Sequence, residues 1–311
     1  MSFRSYEIPT QHRVSVEGSW GCDSCSGFYR NGSYIMKLEH SISRKHRSDL
    51  ETRLVSCVGF TMSARGLIEQ AKRLAARRAV DDHIKDGQIV GIGSGSTVVY
   101  VAQRLAERVK EEGLNVTCIP TSFQAKNLII DNNLALSDLD VHSKIDVTID
   151  GCDECDADLN LIKGGGGCLL QEKIVAAASD KLIIVADYTK DSVYLGEQWK
   201  KGIPLEISSI GWKVVERKLN DLSIAWGSKT GLASVRMAIK KMGPVVTDNS
   251  NFIIDFNIGD LEEELRLKLP PKEIEVQLKS IPGILETGLF VKMAKQVYFG
   301  QNDGSVKTRA Q

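Results

Sequence analysis

Three short segments hold residue types that suit proton transfer on a phosphorylated compound. In the run from Lys163 to Glu172 a lysine precedes Gly164, Gly165, Gly166 and Gly167, and a carboxylate follows. Glycines reach positive φ freely, so successive N–H groups can converge on an anion beside the Lys163 ammonium. Glu172 falls in the first turns of the helix expected next and could face the same cleft. The helix dipole would lower its pKa and burial would raise it, so the net direction stays open. A plain surface pair of Glu172 and Lys173 is the alternative. The second segment, Asp150-Gly-Cys-Asp-Glu154, crowds carboxylates at the end of an expected strand. Asp150 and Asp153 there suit proton transfer or recognition of sugar hydroxyls, against the alternative of solvated loop acids. The third, Gly93-Ser-Gly-Ser-Thr97, has the glycines, hydroxyls and following helix N-terminus of a phosphate cradle. A tight turn with an N-cap serine is the competing reading. A dinucleotide fingerprint fails because Val98 stands where the third glycine belongs, and no Gly-Lys-Ser/Thr completes a Walker loop.

Positioning these loops requires strands ending just before them. Apolar residues Leu67, Ala71, Leu74, Ala75 and Ala79 predict an amphipathic helix from Ser63. Strands are expected over 88–92, 116–119, 145–149 and 182–185, alternating with helices after Thr97, over 123–131 and over 168–179. Such alternation predicts an α/β fold around a mostly parallel sheet, binding ligands at the strands' carboxyl ends. After about residue 200, strands over 204–207, 234–239, 245–247 and 252–256 with an Asn-rich turn predict a smaller α+β domain. The segment 283–299 is expected to return to the first sheet. Residues 1–62, rich in Ser, Arg and Gly and without sustained periodicity, read as a disordered extension. Their acidic residues weigh against a transit peptide. The division is 1–62, then 63–200 with 283–311 as the catalytic domain, and 201–282 as the smaller one.

Lys+Arg and Asp+Glu number 40 each, so no bulk attraction to nucleic acid or an anionic membrane is expected. No apolar run is long enough to span a bilayer. Seven cysteines and the lack of a signal-peptide core predict reduced thiols, a soluble chain and a cytoplasmic location. Joining Cys22/Cys25 to Cys152/Cys155 in a zinc site is disfavoured by their wide separation. The histidines at 12, 40, 46, 83 and 142 have no metal spacing. Without a metal-ligand cluster or a serine-histidine arrangement, the combination suits proton abstraction beside a carbonyl in a sugar phosphate.

The chain resembles the A-type ribose-5-phosphate isomerase family over about residues 64–306. The resemblance rests on Gly91-Ile-Gly-Ser-Gly-Ser-Thr97, Ile119-Pro-Thr-Ser-Phe123, Asp150-Gly-Cys-Asp-Glu154, Leu161-Ile-Lys-Gly-Gly-Gly-Gly167, Gln171-Glu-Lys173, Ala186-Asp-Tyr-Thr-Lys190, Val245-Val-Thr-Asp-Asn249 and Ile281-Pro-Gly283. The Ile-Pro-Thr-Ser-Phe wording is similar to the eukaryotic branch. The resemblance implies a Rossmann-like domain with a smaller ferredoxin-like domain, in homodimers or dimers of dimers. It also implies cofactor- and metal-free isomerisation of ribose 5-phosphate and ribulose 5-phosphate in the non-oxidative pentose phosphate pathway, through a cis-enediolate. By the same resemblance Glu172 is the general base and Lys163 steadies the oxyanion. Asp150 assists furanose opening and Asp153 holds sugar hydroxyls. The phosphate rests on Ser94, Gly95, Ser96 and Thr97, with Lys190, Lys72 and Ser122 nearby.

Cys152 stands where the family usually has alanine, and with Cys155 predicts a thiol-sensitive loop. Ser250 replaces a frequent glycine, predicting a strained or different turn. A sugar-phosphate sensor would lose Lys163 or Glu172, and both are present. An amino-sugar-phosphate deaminase would want a histidine acid, and a coenzyme A transferase a nucleophilic glutamate in a different surround.

Overall fold

The computed structural model describes residues 25–30, 33–38, 63–229, 231, 233–257 and 269–311. The chain divides into two units, Met1–Thr61 and Met62–Gln311. Most of the extension expected to be disordered lies outside the described residues, Cys22 included. Within it β1 (Cys25–Arg30) and β2 (Ser33–Leu38) pair antiparallel, with Arg30 opposite Ser33. The sequence reading does not contain this hairpin, although the intervening Asn31-Gly32 is a hairpin signal.

In the second unit Ser63 caps α1 (Ala64–His83), its Oγ accepting from the N–H of Gly66 at 3.2 Å. There follow β3 (Ile89–Ile92), α2 (Val98–Glu112), β4 (Thr117–Pro120), α3 (Phe123–Asp131), β5 (Ala135–Leu136) and β6 (Val147–Asp150). Next come β7 (Glu154–Cys155), β8 (Leu161–Ile162), α4 (Leu169–Ala177) and β9 (Leu182–Asp187). The chain continues through β10 (Ile203–Ile207), α5 (Trp212–Ala225), β11 (Ala233–Val235), β12 (Phe252–Phe256) and α6 (Pro271–Lys279). It closes with β13 (Ile284–Thr287), β14 (Leu289–Phe290), β15 (Ala294–Gly300) and β16 (Val306–Ala310).

The large sheet has the order β16-β15-β9-β6-β3-β4-β5, parallel except for the edge strand β16. From β3 the chain steps to β4 and β5 on one side, then crosses to β6, β9 and β15 on the other. The strand order therefore reverses between β3 and β6, where a crevice opens at the carboxyl ends of an open α/β sheet. Both faces are covered, which explains the near-continuous apolar strands. Val90, Ile92, Val147 and Ile149 are buried in one cluster with Ala75, Ala76 and Ala79 of α1 and Val98, Val101 and Leu105 of α2. Leu182, Ile184 and Ala186 join Phe290 and Phe299 in another.

The smaller sheet is antiparallel with the order β11-β12-β10-β13. Its chain sequence β10-α5-β11-β12-α6-β13 is the ferredoxin-like βαββαβ pattern. Three expectations fail here. Residues 245–247 form no strand, and the one expected over 234–239 ends at Val235, beyond which backbone bonds of Arg236 to Ile253 and Val245 and the isolated bridge Met237↔Pro244 continue the pairing. Pro244 has no N–H to donate, and Gly243 before it adopts a φ of 152°. The return to the large sheet also starts later than residue 283. β13 pairs with β10 and β14 with β8, so the chain rejoins the large sheet at Ala294.

Ser250 adopts a φ of 64° in the turn between Thr247 and Asn251. A side chain is strained there, as the departure from glycine suggested. Ser250→Gly should therefore stabilise the protein by about 1 kcal/mol, read from denaturant midpoints.

Candidate active site

Each of the three motif loops leaves the sheet beside the reversal point or approaches it from the glycine turn. Together they line a cavity of about 350 Å³ that includes Lys72, Ser94, Gly95, Ser96, Thr97, Asp153, Lys163, Glu172 and Lys190. Gly164, Gly165 and Gly166 also line it. Asp150, Ser122 and Gly167 stand behind this lining.

The centre is a buried triad. Lys163 is 2% exposed and Glu172 5% exposed. Lys163 Nζ lies 3.2 Å from Glu172 Oε1 and 3.0 Å from Asp150 Oδ2, and donates to the carbonyl of Gly151 at 2.5 Å. The contact with Asp150 Oδ2 is an ion pair. Burial alone would lower the Lys163 pKa. The two carboxylates outweigh it and hold the ammonium above the ordinary lysine range. Burial pushes Glu172 up to about 8, with Lys163 opposing and Asp150 reinforcing. The direction left open in the sequence is thus upward. Oε2 of Glu172 has no hydrogen-bond partner, so one oxygen of a base with lifted proton affinity stays uncommitted.

The surface-pair alternative for Glu172 and Lys173 fails, because Lys173 is also buried. Its ammonium reaches Glu286 at 2.9 Å on β13 and Glu275 at 3.2 Å on α6, which ties α4 to the smaller sheet and its helix. A second tie comes from Gln171, whose Nε2 donates to Asn249 Oδ1 at 2.8 Å. Asn249 in turn donates to buried Glu206, which also accepts from Thr247 and Asn251. Asp248, in the same turn, accepts from the N–H of Phe123 at 2.8 Å.

Asp150 closes β6, and its Oδ1 accepts from the N–H groups of Ser94 at 3.0 Å and Gly151 at 2.7 Å. A side chain at Gly93 would collide with the Asp150 carboxyl and approach its Cα at 2.5 Å. Gly93→Ala should therefore displace Asp150, destabilising the fold by about 1–3 kcal/mol. Thermal melts and turnover measured together check this, and an unchanged melt would show the clash is relieved.

Ser94 Oγ lies 2.8 Å from Thr121 Oγ1 and donates to Ser122 Oγ at 2.6 Å. Lys72 Nζ donates to Ser96 Oγ at 3.0 Å while paired with Glu69. Thr97 precedes α2, whose first N–H groups lack intrahelical acceptors and favour an anion. Lys190 lies in a short 3₁₀ turn after β9, its Nζ 6.0 Å from the Trp199 ring. Asp153 Oδ2 accepts from Gly165 N–H at 2.7 Å, and burial raises its pKa.

The acids of the second loop part company. Glu154 is fully buried and faces the segment after residue 190, accepting from Ser192, Gly196, Gln198 and Trp199. Cys155 is buried with its thiol pushed up to about 12, and burial raises Cys152, which lines the cavity, well above its ordinary value. Neither favours the reactive thiolate, which opposes the expected thiol sensitivity. Sequence reading missed Gln124, Thr189 and Cys168 in the lining. Gln124 accepts from Gly95 N–H at 2.8 Å and was findable, since it lies just past the carboxyl end of β4. Cys168 has its thiol raised to about 11 by burial.

Residues 117–304 match the sequence profile of the family described as ribose 5-phosphate isomerase A (phosphoriboisomerase A). A human ribose-5-phosphate isomerase is 52% identical over 241 residues, which cover 78% of this chain and 73% of that protein. One from Dictyostelium discoideum is 50% identical over 244 residues, covering 78% of this chain and 99% of the relative. Among solved structures, a D-ribose-5-phosphate isomerase in complex with phospho-erythronic acid superposes with a TM-score of 0.70 at 36% identity. That match covers 78% of this chain and 99% of the other.

Proposed function

The chain belongs to the ribose 5-phosphate isomerase A family, and on that premise we propose that it interconverts D-ribose 5-phosphate and D-ribulose 5-phosphate with its own side chains. The observation that carries the reading is the buried Lys163–Glu172 contact in the wall of a cavity that the Ser94–Thr97 cradle also lines. The phosphate would sit on the cradle, with Lys72 and Lys190 countering its charge and Ser122 bracing Ser94. In the open-chain aldose, the Glu172 carboxylate takes the proton from carbon 2. The electron pair moves into a carbon–carbon double bond, and the carbonyl oxygen at carbon 1 becomes the enediolate oxyanion, which Lys163 stabilises. Protonated Glu172 then returns the proton to carbon 1, and the proton of the carbon 2 hydroxyl ends on the carbon 1 oxygen. Atoms and electrons balance without an oxidant.

Asp153 is placed for sugar hydroxyls. Asp150 lies behind the lining, which supports a role in charging Lys163 better than direct contact in ring opening. Homodimers or dimers of dimers, metal independence, a place in the non-oxidative pentose phosphate pathway and a cytoplasmic location extend the proposal from the family resemblance. Among the described residues no helix is long and apolar enough to cross a membrane, and Cys118, Cys152, Cys155 and Cys168 are free thiols. Sedimentation velocity and cell fractionation check the assembly and the location.

The test is to mix the protein with ribose 5-phosphate and follow both binding heat and the ribulose 5-phosphate signal by NMR. Binding without conversion would favour a sensor. The raised Glu172 pKa also sets the pH response. Because the base must be ionised, kcat/KM should climb with pH and level off above about pH 8. A plateau already reached at pH 6 would remove Glu172 as the titrating base.

A further inference from the structure

We propose that Arg236 is a positioning residue for this reaction, fixing the glycine loop so that the Gly166 N–H is presented to the sugar end of the cavity. The inference rests on the isomerase reading and adds a residue from the smaller sheet, outside the cavity lining.

Arg236 follows β11, and its backbone is held on both sides. Its N–H donates to Ile253 at 2.8 Å and its carbonyl accepts from Val245 at 2.8 Å. Asp255 on β12 grips the guanidinium in a fork, with Nε to Oδ2 at 2.8 Å and Nη2 to Oδ1 at 2.5 Å. That leaves Nη1 aimed at the glycine loop, where it donates to the carbonyls of Gly164 at 2.9 Å and Gly165 at 3.2 Å.

A trans peptide points its N–H opposite to its carbonyl. Holding these two carbonyls on Arg236 therefore turns the N–H groups of Gly165 and Gly166 away from it. The first meets Asp153 Oδ2 at 2.7 Å, so the Gly164–Gly165 peptide is gripped from both sides. The second has no acceptor among the described residues. Gly166 lines the cavity, and an added Cβ there would meet nothing within 4 Å. Its N–H is thus left unpaired on a residue that borders the cavity, open to an outside acceptor such as a sugar oxygen.

Four glycines would otherwise sample many peptide orientations, and preorganised donors act most strongly at charge that develops during reaction. Only a planar guanidinium can hold a carboxylate fork and reach two carbonyls at once. Lysine offers a point charge without that fork.

The experiment compares wild type, Arg236→Lys and Arg236→Gln in three readouts: ribose 5-phosphate kinetics, thermal melting, and competitive inhibition by inorganic phosphate. The phosphate probe reports on the Ser94–Thr97 cradle, which Arg236 does not touch. Both variants should lose about 10- to 100-fold in kcat/KM while the phosphate inhibition constant holds. Hydrogen exchange in the 164–167 segment should quicken. Wild-type kinetics in both variants would overturn the proposal. So would phosphate inhibition weakening in step with kcat/KM, or failure of both variants to fold, since each marks a general structural role. If only Arg236→Gln fails to fold, Arg236→Lys decides. An inactive wild type would instead sink the isomerase reading itself.

Discussion

Lys163→Met is expected to lower kcat by about 10²–10³-fold and to destabilise the fold by about 3–5 kcal/mol near pH 8. The kinetic loss follows from removing the only ammonium in contact with Glu172 among the described residues, so the enediolate oxygen develops charge without a counter-ion. The stability loss has a separate origin. Asp150 and Glu172 are both buried beside this one cation, and deleting it leaves their charges uncompensated. Because protonation of Glu172 relieves that repulsion, the deficit should shrink as the pH falls. Thermal melts of both proteins across pH 5–9 would show the gap narrowing on the acid side. A constant gap would mean that the lost interaction is packing against Phe290, whose ring centroid lies 5.4 Å from Nζ.

Glu172→Gln should do the opposite to stability while damaging chemistry further. Its kcat is expected to fall by about 10²–10⁴-fold, the range supplied by a positioned general base, with KM changed little because the phosphate cradle is untouched. The carboxyl has an ordinary value of 4.5 and is raised to about 8 in the fold. Between those values the native protein keeps a proton that the unfolded chain releases, so rising pH costs stability across that window. The benefit of the raised group is complete below 4.5 and lost as pH passes 8. Glutamine removes this dependence. The melting temperature of Glu172→Gln relative to wild type should therefore rise between pH 5 and pH 8. A difference that stays flat would show that Glu172 does not titrate in that interval.

The alternation of apolar runs and helical periods made the large sheet legible, because its strands are buried on both faces and end in loops of unusual composition. The motif loops were legible for the same reason: glycines, hydroxyls and acids seldom cluster after an apolar strand without a ligand. What sequence could not show was depth. Nothing in the Asp150–Glu154 segment says that Asp153 faces the cavity while Glu154 organises the segment after residue 190, since both are acids one position apart. The sign of the Glu172 shift was equally hidden, because it depends on how deeply the fold buries that position of α4 rather than on the residue itself. The alternative of a surface Glu172–Lys173 pair could be dismissed only once the contacts of Lys173 with Glu275 and Glu286 placed it in the seam with the smaller sheet. The missed end of strand pairing near Val245 turns on Pro244, which was available as a signal. Arg236 could not be read at all, because it joins the site through carbonyls in a loop more than 70 residues away.

The most direct test of the account is the rate of ribulose 5-phosphate formation from ribose 5-phosphate by chelator-treated wild type and Glu172→Gln, prepared and assayed side by side. Full turnover in the first and its collapse in the second would show isomerisation carried by the Glu172 carboxylate without a metal. Equal rates in the two, or a wild type that chelation silences and a divalent cation restores, would contradict it.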